Sequence, residues 1–428
     1  MGANETTTLI KNVNIFNGTS DQLIAGQDVV LADNKIKELV ASGGNEAPYD
    51  TVIDGSGGTL MPGLSDVHTH LALCKPPPQL LNIYSWDYIG AVMTNEAERY
   101  LMRGFTAVRD VGGPTLGLKK AIDEGLATGP RIFSSGMGLA QTAGHGDMRN
   151  PNAYSKYFVG EHFRLTDLGY FVLADGVDEV RKACREALAS QVSQIKICTG
   201  GGVTSLTDPL YSVQYTPEEV AAAVDEATRY GTYVAAHVHT DEGINVALDN
   251  GVKTIEHGLL TKEDTIKKLV DKNAWIVPQS YIVSHEANDG NPTFADPIQK
   301  AKMDQARNGS ANCFRWAKHY GAKVAWGTDM FGTRAAYDNT NLEFKTRAEY
   351  YSNVEQLKQV TSANGELLAL SNLKHPYPGA KLGVVEAGAY ADLLIVDGNP
   401  IEDILLMLDY ENNFKLIMKD GVAYKNTL

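Results

Sequence analysis

Hydrophobic positions follow two different rhythms along this chain. Near both ends they alternate with polar ones: Leu9-Ile10-Lys11-Asn12-Val13-Asn14-Ile15-Phe16 runs into a turn at Asn17-Gly18, and Ala391-Asp392-Leu393-Leu394-Ile395-Val396 runs into Asp397-Gly398-Asn399-Pro400. Phe414 to Met418 and Val422-Ala423-Tyr424 flank Lys419-Asp420-Gly421 in the same way. A period near two, broken by Gly, Asn and Pro, predicts short strands joined by tight turns. Neither end is long enough to bury a core alone, so the pattern predicts one small β-sandwich domain built from residues 1–58 plus 379–428.

Over residues 59–378 apolar runs that end in polar or Gly-rich turns alternate with stretches of helical period. The predicted strands are Leu60–His70, Phe105–Asp110, Arg131–Ser135, Gln194–Thr199, Tyr233–His239, Thr254–His257, Trp275–Gln279 and Lys323–Asp329. Helical period is clearest over Val177–Gln191 and Pro217–Tyr230. Ahead of the second, Thr216 suits an N-cap, Pro217 the first turn, and Glu219 completes a capping box. Strands and helices in alternation predict an α/β protein, a (β/α)8 TIM barrel. An open doubly wound sheet is the alternative, although no G-x-G-x-x-G opens a helix after a strand, so a dinucleotide-binding version has no support.

Composition narrows the field. With 43% apolar and 21% charged residues over 428 positions, the chain is globular. Thirty-eight basic against 52 acidic residues give a net charge of −14, which argues against nucleic-acid or anionic-membrane binding. No apolar run approaches the ~18 residues of a membrane span. Met1 to Asn12 has neither the basic start nor the apolar core of a leader, which predicts a cytoplasmic protein or an exported one already processed. Cys74, Cys184, Cys198 and Cys313 form no C-x-x-C pair, against a disulfide framework or a thiolate zinc site.

Histidines carry the chemical signal. In His68-Thr69-His70 two imidazoles project from one side of a strand. His237 and His257 end the fifth and sixth predicted strands, and Asp329 ends the eighth, at the face where barrels build their sites. Singly, each has a structural explanation: hydrogen-bonded rim histidines, a satisfied core histidine, an Asp that forms a turn. Together, four histidines and a carboxylate at equivalent strand ends suit a first-row divalent metal, zinc above all, with manganese, iron and cobalt left open. Lys196 sits in Ser193-Gln194-Ile195-Lys196-Ile197-Cys198, which reads as a buried strand. An unpaired ammonium there is costly, so the amine must be paired with a neighbouring carboxylate, neutral or chemically altered.

With these residues in place, the sequence resembles the amidohydrolase superfamily, in the imidazolonepropionase-like branch of metal-dependent dipeptidases and carboxypeptidases with prolidase-like and ochratoxinase-like members. The matching segments run in order through Met61 to His70, Gly104 to Asp110, Ile195-Lys196-Ile197, Ala236 to His239, Thr254 to Gly258, Gly327-Thr328-Asp329 and Gly388 to Leu393. The resemblance implies two divalent metal ions, one held by His68, His70 and Asp329, the other by His237 and His257. Lys196, as a CO2-derived carbamate, would bridge them. It implies amide hydrolysis by a bridging hydroxide, with Asp329 as the proton shuttle. It also places His145, in Gln141 to Asp147, at the substrate. His239 and the amides of Val203 and Thr204, in the turn Thr199 to Thr204, would meet a free C-terminal carboxylate.

Relatives with His at the 239 position favour apolar C-terminal residues, whereas proline-selective members carry Tyr. The expected activity is release of a hydrophobic C-terminal amino acid from dipeptides and N-acyl amino acids, with ochratoxin-type N-acyl-phenylalanine amides acceptable. Xaa-Pro dipeptidase activity, cyclic-amide hydrolysis and a metal-free scaffold role are the alternatives. Lys196 argues against the one-metal deaminases of the superfamily, and the full ligand set against a scaffold. The resemblance implies a homo-oligomer, with octamers among relatives, and small-molecule substrates rather than nucleic acid or membrane. His162, His285, His319 and His375 have no motif context and read as surface or core residues.

Overall fold

The computed structural model describes residues 5–43, 48–76, 84–149, 164–288 and 296–428, so His162 lies outside the described residues. Strands from the start of the chain are β1 (Thr7–Ile15), β2 (Ile24–Ala32), β3 (Lys35–Ala41), β4 (Thr51–Asp54) and β5 (Thr59–Pro62). The middle contributes β6 (Leu64–Thr69), β7 (Phe105–Asp110), β8 (Arg131–Ser134), β9 (Gly138–Ala140) and β10 (Phe171–Leu173). Then come β11 (Ile195–Cys198), β12 (Val234–Thr240), β13 (Thr254–Leu260), β14 (Trp275–Val277) and β15 (Lys323–Val324). The end supplies β16 (Leu393–Val396), β17 (Phe414–Lys419) and β18 (Val422–Asn426).

The two chain ends meet in one eight-stranded sheet of order β18-β17-β16-β5-β1-β2-β3, with β4 paired to β1 alone. Instead of two separately bonded layers, β1 changes partner along its length. Thr8 to Lys11 pair with β4 and Asn14-Ile15 with β5, on either side of Asn12, whose φ is 59°. Ile10, Ile15, Val29, Leu393, Ile395 and Leu416 form the core of this sheet.

The remaining strands form two parallel sheets, β6-β7-β8 and β10-β9-β11-β12-β13-β14-β15. Two short strands, β9 and β10, were not evident in the hydrophobic pattern. The predicted strand Leu60–His70 is divided at Gly63, whose amide bonds the Asp392 carbonyl in one sheet while the Leu64 amide bonds Gly104 in another. A Cβ on Gly63 would lie 2.1 Å from the Thr106 hydroxyl, so only glycine fits the crossing. The predicted strand Lys323–Asp329 is regular over Lys323–Val324 only. Beyond it single backbone bonds continue beside β6: Val67 N–H to the Trp326 carbonyl at 3.1 Å and Asp329 N–H to the His68 carbonyl at 2.8 Å. On the other side, Ser193 N–H donates to the Ser134 carbonyl at 2.8 Å.

Alternation decides which side chains reach the site. Ile195, Ile197, Val234, Ala236, Val238 and Ile255 pack outward against helices Val177–Ala189 and Pro217–Arg229. Lys196, His237, His239 and Glu256 therefore point the other way. The Thr216 and Glu219 capping box is present as predicted. Among the described residues, no helix is long and apolar enough to cross a membrane.

Candidate metal centre and substrate cleft

His68, His70 and Asp329 converge where β6 meets the segment after β15. The Asp329 carboxylate lies 3.5 Å from His68 Nε2 and 3.4 Å from His70 Nε2. Ligand atoms of His68, His257 and Asp329 all fall within 4.8 Å of one another, and so do those of His237, His239 and His257. His257 would face outward by strand alternation, since Glu256 points in. Its φ of 71°, like the 56° of Asp329, turns the chain so that both side chains enter the site. Left-handed backbone at non-glycine residues costs about 1–3 kcal/mol each, strain of the kind that gathers at functional sites.

Each of His68, His70, His237 and His257 has one ring nitrogen engaged. His68 Nδ1 meets Glu256 Oε2 at 2.7 Å, His70 Nδ1 meets the Gly112 carbonyl at 3.0 Å, and His257 Nδ1 meets Gln279 Oε1 at 2.7 Å. His237 Nε2 meets the Gly201 carbonyl at 3.4 Å. Because the partners are oxygen acceptors, the engaged nitrogen carries the proton and the other keeps its lone pair. The Nε2 atom of His68 is buried with no hydrogen-bond partner, as metal ligation requires. The donor set therefore fits a divalent cation of the zinc type.

Burial sets the protonation states. It drives His68, His237 and His257 well below the usual histidine range, with the Lys196 charge adding to the effect at His68 and the His145 charge at His237. His70 falls to about 4, through burial and then Lys196. Neutral imidazoles are the ligating form. Burial pushes Asp329 up to about 8, against the pull of Lys196. Lys196 is 3% exposed, and burial holds its amine below the ordinary lysine value, with Glu256 opposing. Among the described residues no hydrogen bond or ion pair reaches that amine, so the pairing expected of an unmodified buried lysine is not met.

Above these groups opens a cleft lined by His70, His145, His237, His239, His257 and Asp329 together with Val203 and Thr204. Its other walls are largely apolar, including Leu73, Met148, Phe171, Leu259, Val283, Met303 and Phe331. The structure thus brings every sequence-predicted site residue to this cleft or directly beneath it. His145 stacks on His237 with ring centroids 3.9 Å apart. His239 stacks on His257 at 4.8 Å, and its Nδ1 is buried without a partner. Burial and the His145 charge lower His239 to about 3. His285 and His319 are exposed and His375 is half-buried against Phe133, all apart from the cleft.

Five residues that support the site were given no role by the sequence: Gln279, Asp208 and Lys302, and also Arg109 and Glu256, although these two lie inside segments that carry the resemblance. Arg109 Nη2 donates to both Glu256 oxygens, at 2.7 and 2.8 Å, with both side chains fully buried. Glu256 precedes His257 in the Thr254 to Gly258 segment, and an acidic residue on an inward register was the one available hint. Asp208 accepts from the Gly202 amide at 2.9 Å and lies 3.6 Å from His145 Nδ1.

Comparison with known proteins adds a family. A sequence profile of the amidohydrolase family matches residues 59–424. Ochratoxinase of Aspergillus niger is 31% identical over 362 residues, 81% of this chain and 71% of that protein. A solved amidohydrolase superposes with a TM-score of 0.89 at 34% identity, covering 99% of this chain and all (100%) of its own. A prolidase solved with N-methylphosphonate-L-proline gives 0.87 at 33% identity, over 98% and 100% of the two chains.

Proposed function

Because this chain belongs to the amidohydrolase family, a family of hydrolases, we propose that it releases an apolar C-terminal amino acid from dipeptides and N-acyl amino acids. The observation that carries this reading is the set of imidazoles whose second nitrogens are tied to Glu256, Gly112, Gln279 and Gly201, leaving the first free beside Asp329 and an apolar cleft. His68, His70 and Asp329 would hold one metal ion, His237 and His257 a second, and Lys196 carrying a CO2-derived carbamate would join them. When bound, zinc ions supply Lewis acidity that acidifies water and polarises the scissile carbonyl.

The chain's own groups do the rest. The Asp329 carboxylate takes the proton from water and returns it to the leaving amine. His239 and the amides of Val203 and Thr204 receive the free carboxylate, and His145 holds the acyl side. Among the described residues, the walls around Leu259, Val283 and Met303 offer no charge to a polar side chain, which supports an apolar residue at the C-terminal position. In the same proposal the parallel strands close into a (β/α)8 barrel over residues 59–378, with 1–58 and 379–428 as a separate small domain. The bonds Val67 to Trp326 and Ser193 to Ser134 support that closure.

The likeness to the prolidase favours one second reading, an Xaa-Pro dipeptidase. A panel of dipeptides and N-acyl amino acids, assayed with zinc-loaded protein in bicarbonate, separates the two. Cleavage of Xaa-Phe, Xaa-Leu and N-acyl-phenylalanine is expected. Cleavage of Xaa-Pro alone supports the second reading, and no cleavage of either class overturns both.

A further inference from the structure

A buried ammonium lies behind the turn that lines the cleft. Lys302, on helix Pro297–His319, is 5% exposed and spends its three N–H donors on three carbonyls of one turn: Gly202 at 2.6 Å, Ser205 at 2.6 Å and Asp208 at 2.9 Å. One helical turn earlier, the Gln299 side chain donates to the Thr204 carbonyl. Asp208, 4.0 Å from the ammonium, also ties the Gly202 amide, at 2.9 Å. With those carbonyls drawn toward the helix, the amides of Val203 and Thr204 are left over. Neither has an acceptor among the described residues, and both residues line the cleft. Successive unpaired amides with a positive charge at their backs are a site for an anion.

We propose that Lys302 is the positioning residue for recognition of the substrate's free carboxylate. It touches no substrate. It holds the turn so that the Val203 and Thr204 amides stay aimed into the cleft beside His239, and its charge compensates part of the carboxylate's charge. This inference rests on the proposed hydrolysis of substrates with a free C-terminus. Met303, the next residue of the helix, lines the apolar wall, so one helix would set both the carboxylate and the side-chain position.

The test compares N-acetyl-L-phenylalanine with its C-terminal carboxamide in the zinc-loaded protein. In the wild type, kcat/KM strongly favours the acid; equal values would overturn the free-carboxylate reading before any variant is made, and this inference with it. In Lys302→Met, KM for the acid is expected to rise about tenfold, the weight of one charge-assisted contact, with kcat and the carboxamide little changed. Lys302→Arg, which keeps the charge and several donors, should recover part of the loss. Lys302→Gln retains amide donors and replaces the Met variant if that protein does not fold. An equal loss for acid and carboxamide, or a fall in kcat at unchanged KM, overturns the proposal and leaves Lys302 a structural residue.

Discussion

Nδ1 of His68 lies 2.7 Å from Oε2 of Glu256, and one guanidinium nitrogen of Arg109 grips both oxygens of that carboxylate. The three side chains are almost wholly buried. Arg109 also donates to the Val67 carbonyl at 2.6 Å, so the triad fixes β6 as well as the tautomer of its histidine.

Glu256→Gln should act in two separable ways. Arg109 is left as an uncompensated buried cation, which lowers stability by about 3–5 kcal/mol. His68 loses its anionic partner, which weakens zinc binding by roughly 10–100-fold. Adding Arg109→Met should restore much of the melting temperature without restoring zinc affinity. Thermal unfolding and chelator competition measure the two effects, and wild-type affinity in the single variant would remove Glu256 from this role.

Asp329→Asn tests the proton shuttle with little disturbance of shape. Asn accepts the left-handed backbone that Asp329 adopts at φ 56°, so the fold should persist. Turnover on a good substrate is expected to fall roughly a hundred- to ten-thousandfold. Near-normal kcat with metal bound would assign the proton transfer elsewhere.

Lys196 offers a prediction of opposite sign for stability and activity. Its amine is buried without a partner among the described residues, so Lys196→Met should leave the metal-free protein at least as stable as wild type. The same variant should be inactive. Wild-type protein stripped with chelator and reloaded with zinc should regain activity faster with bicarbonate than without it. Intact-mass measurement under non-acidic conditions should then find one added CO2 per chain, and its absence from active protein would exclude the carbamate.

Gly202 stands against the ring of His145. A Cβ there would lie 2.1 Å from two ring atoms, so Gly202→Ala must push the imidazole or the turn aside. The strain is expected to cost about 1–3 kcal/mol. Because His145 and the Val203–Thr204 turn both face the cleft, KM should rise more than melting temperature falls. Steady-state kinetics on an N-acyl amino acid, alongside thermal unfolding, checks this; unchanged KM would place His145 outside substrate binding.

Much of the site could be read from one dimension because its residues are local signals. His68 and His70 share a strand face by spacing alone, and Lys196 betrays itself as a charge inside an apolar run. What escaped was either conformational or distant in the chain. Nothing in the alternation of β13 announces that His257 turns inward, since the left-handed residue reverses the period at that one position. Lys302 meets the turn of Val203 across about a hundred positions, with no shared motif to link them. The predicted strand Leu60–His70 ran two strands together because both halves are apolar and buried, and Gly63 alone marks the crossing. The short β9 and β10 fall below the length at which a period can be recognised.

The crossing at Gly63 also has a mechanical meaning. His68 stands five positions past the last sheet shared with the chain's two extremities, with a stiff strand in between. Loosening β16 or β17 at the far tail would slacken that tether and shift the imidazole. Damage near the carboxyl end would then register first as weaker hold on the proposed metal ion, ahead of any visible unravelling.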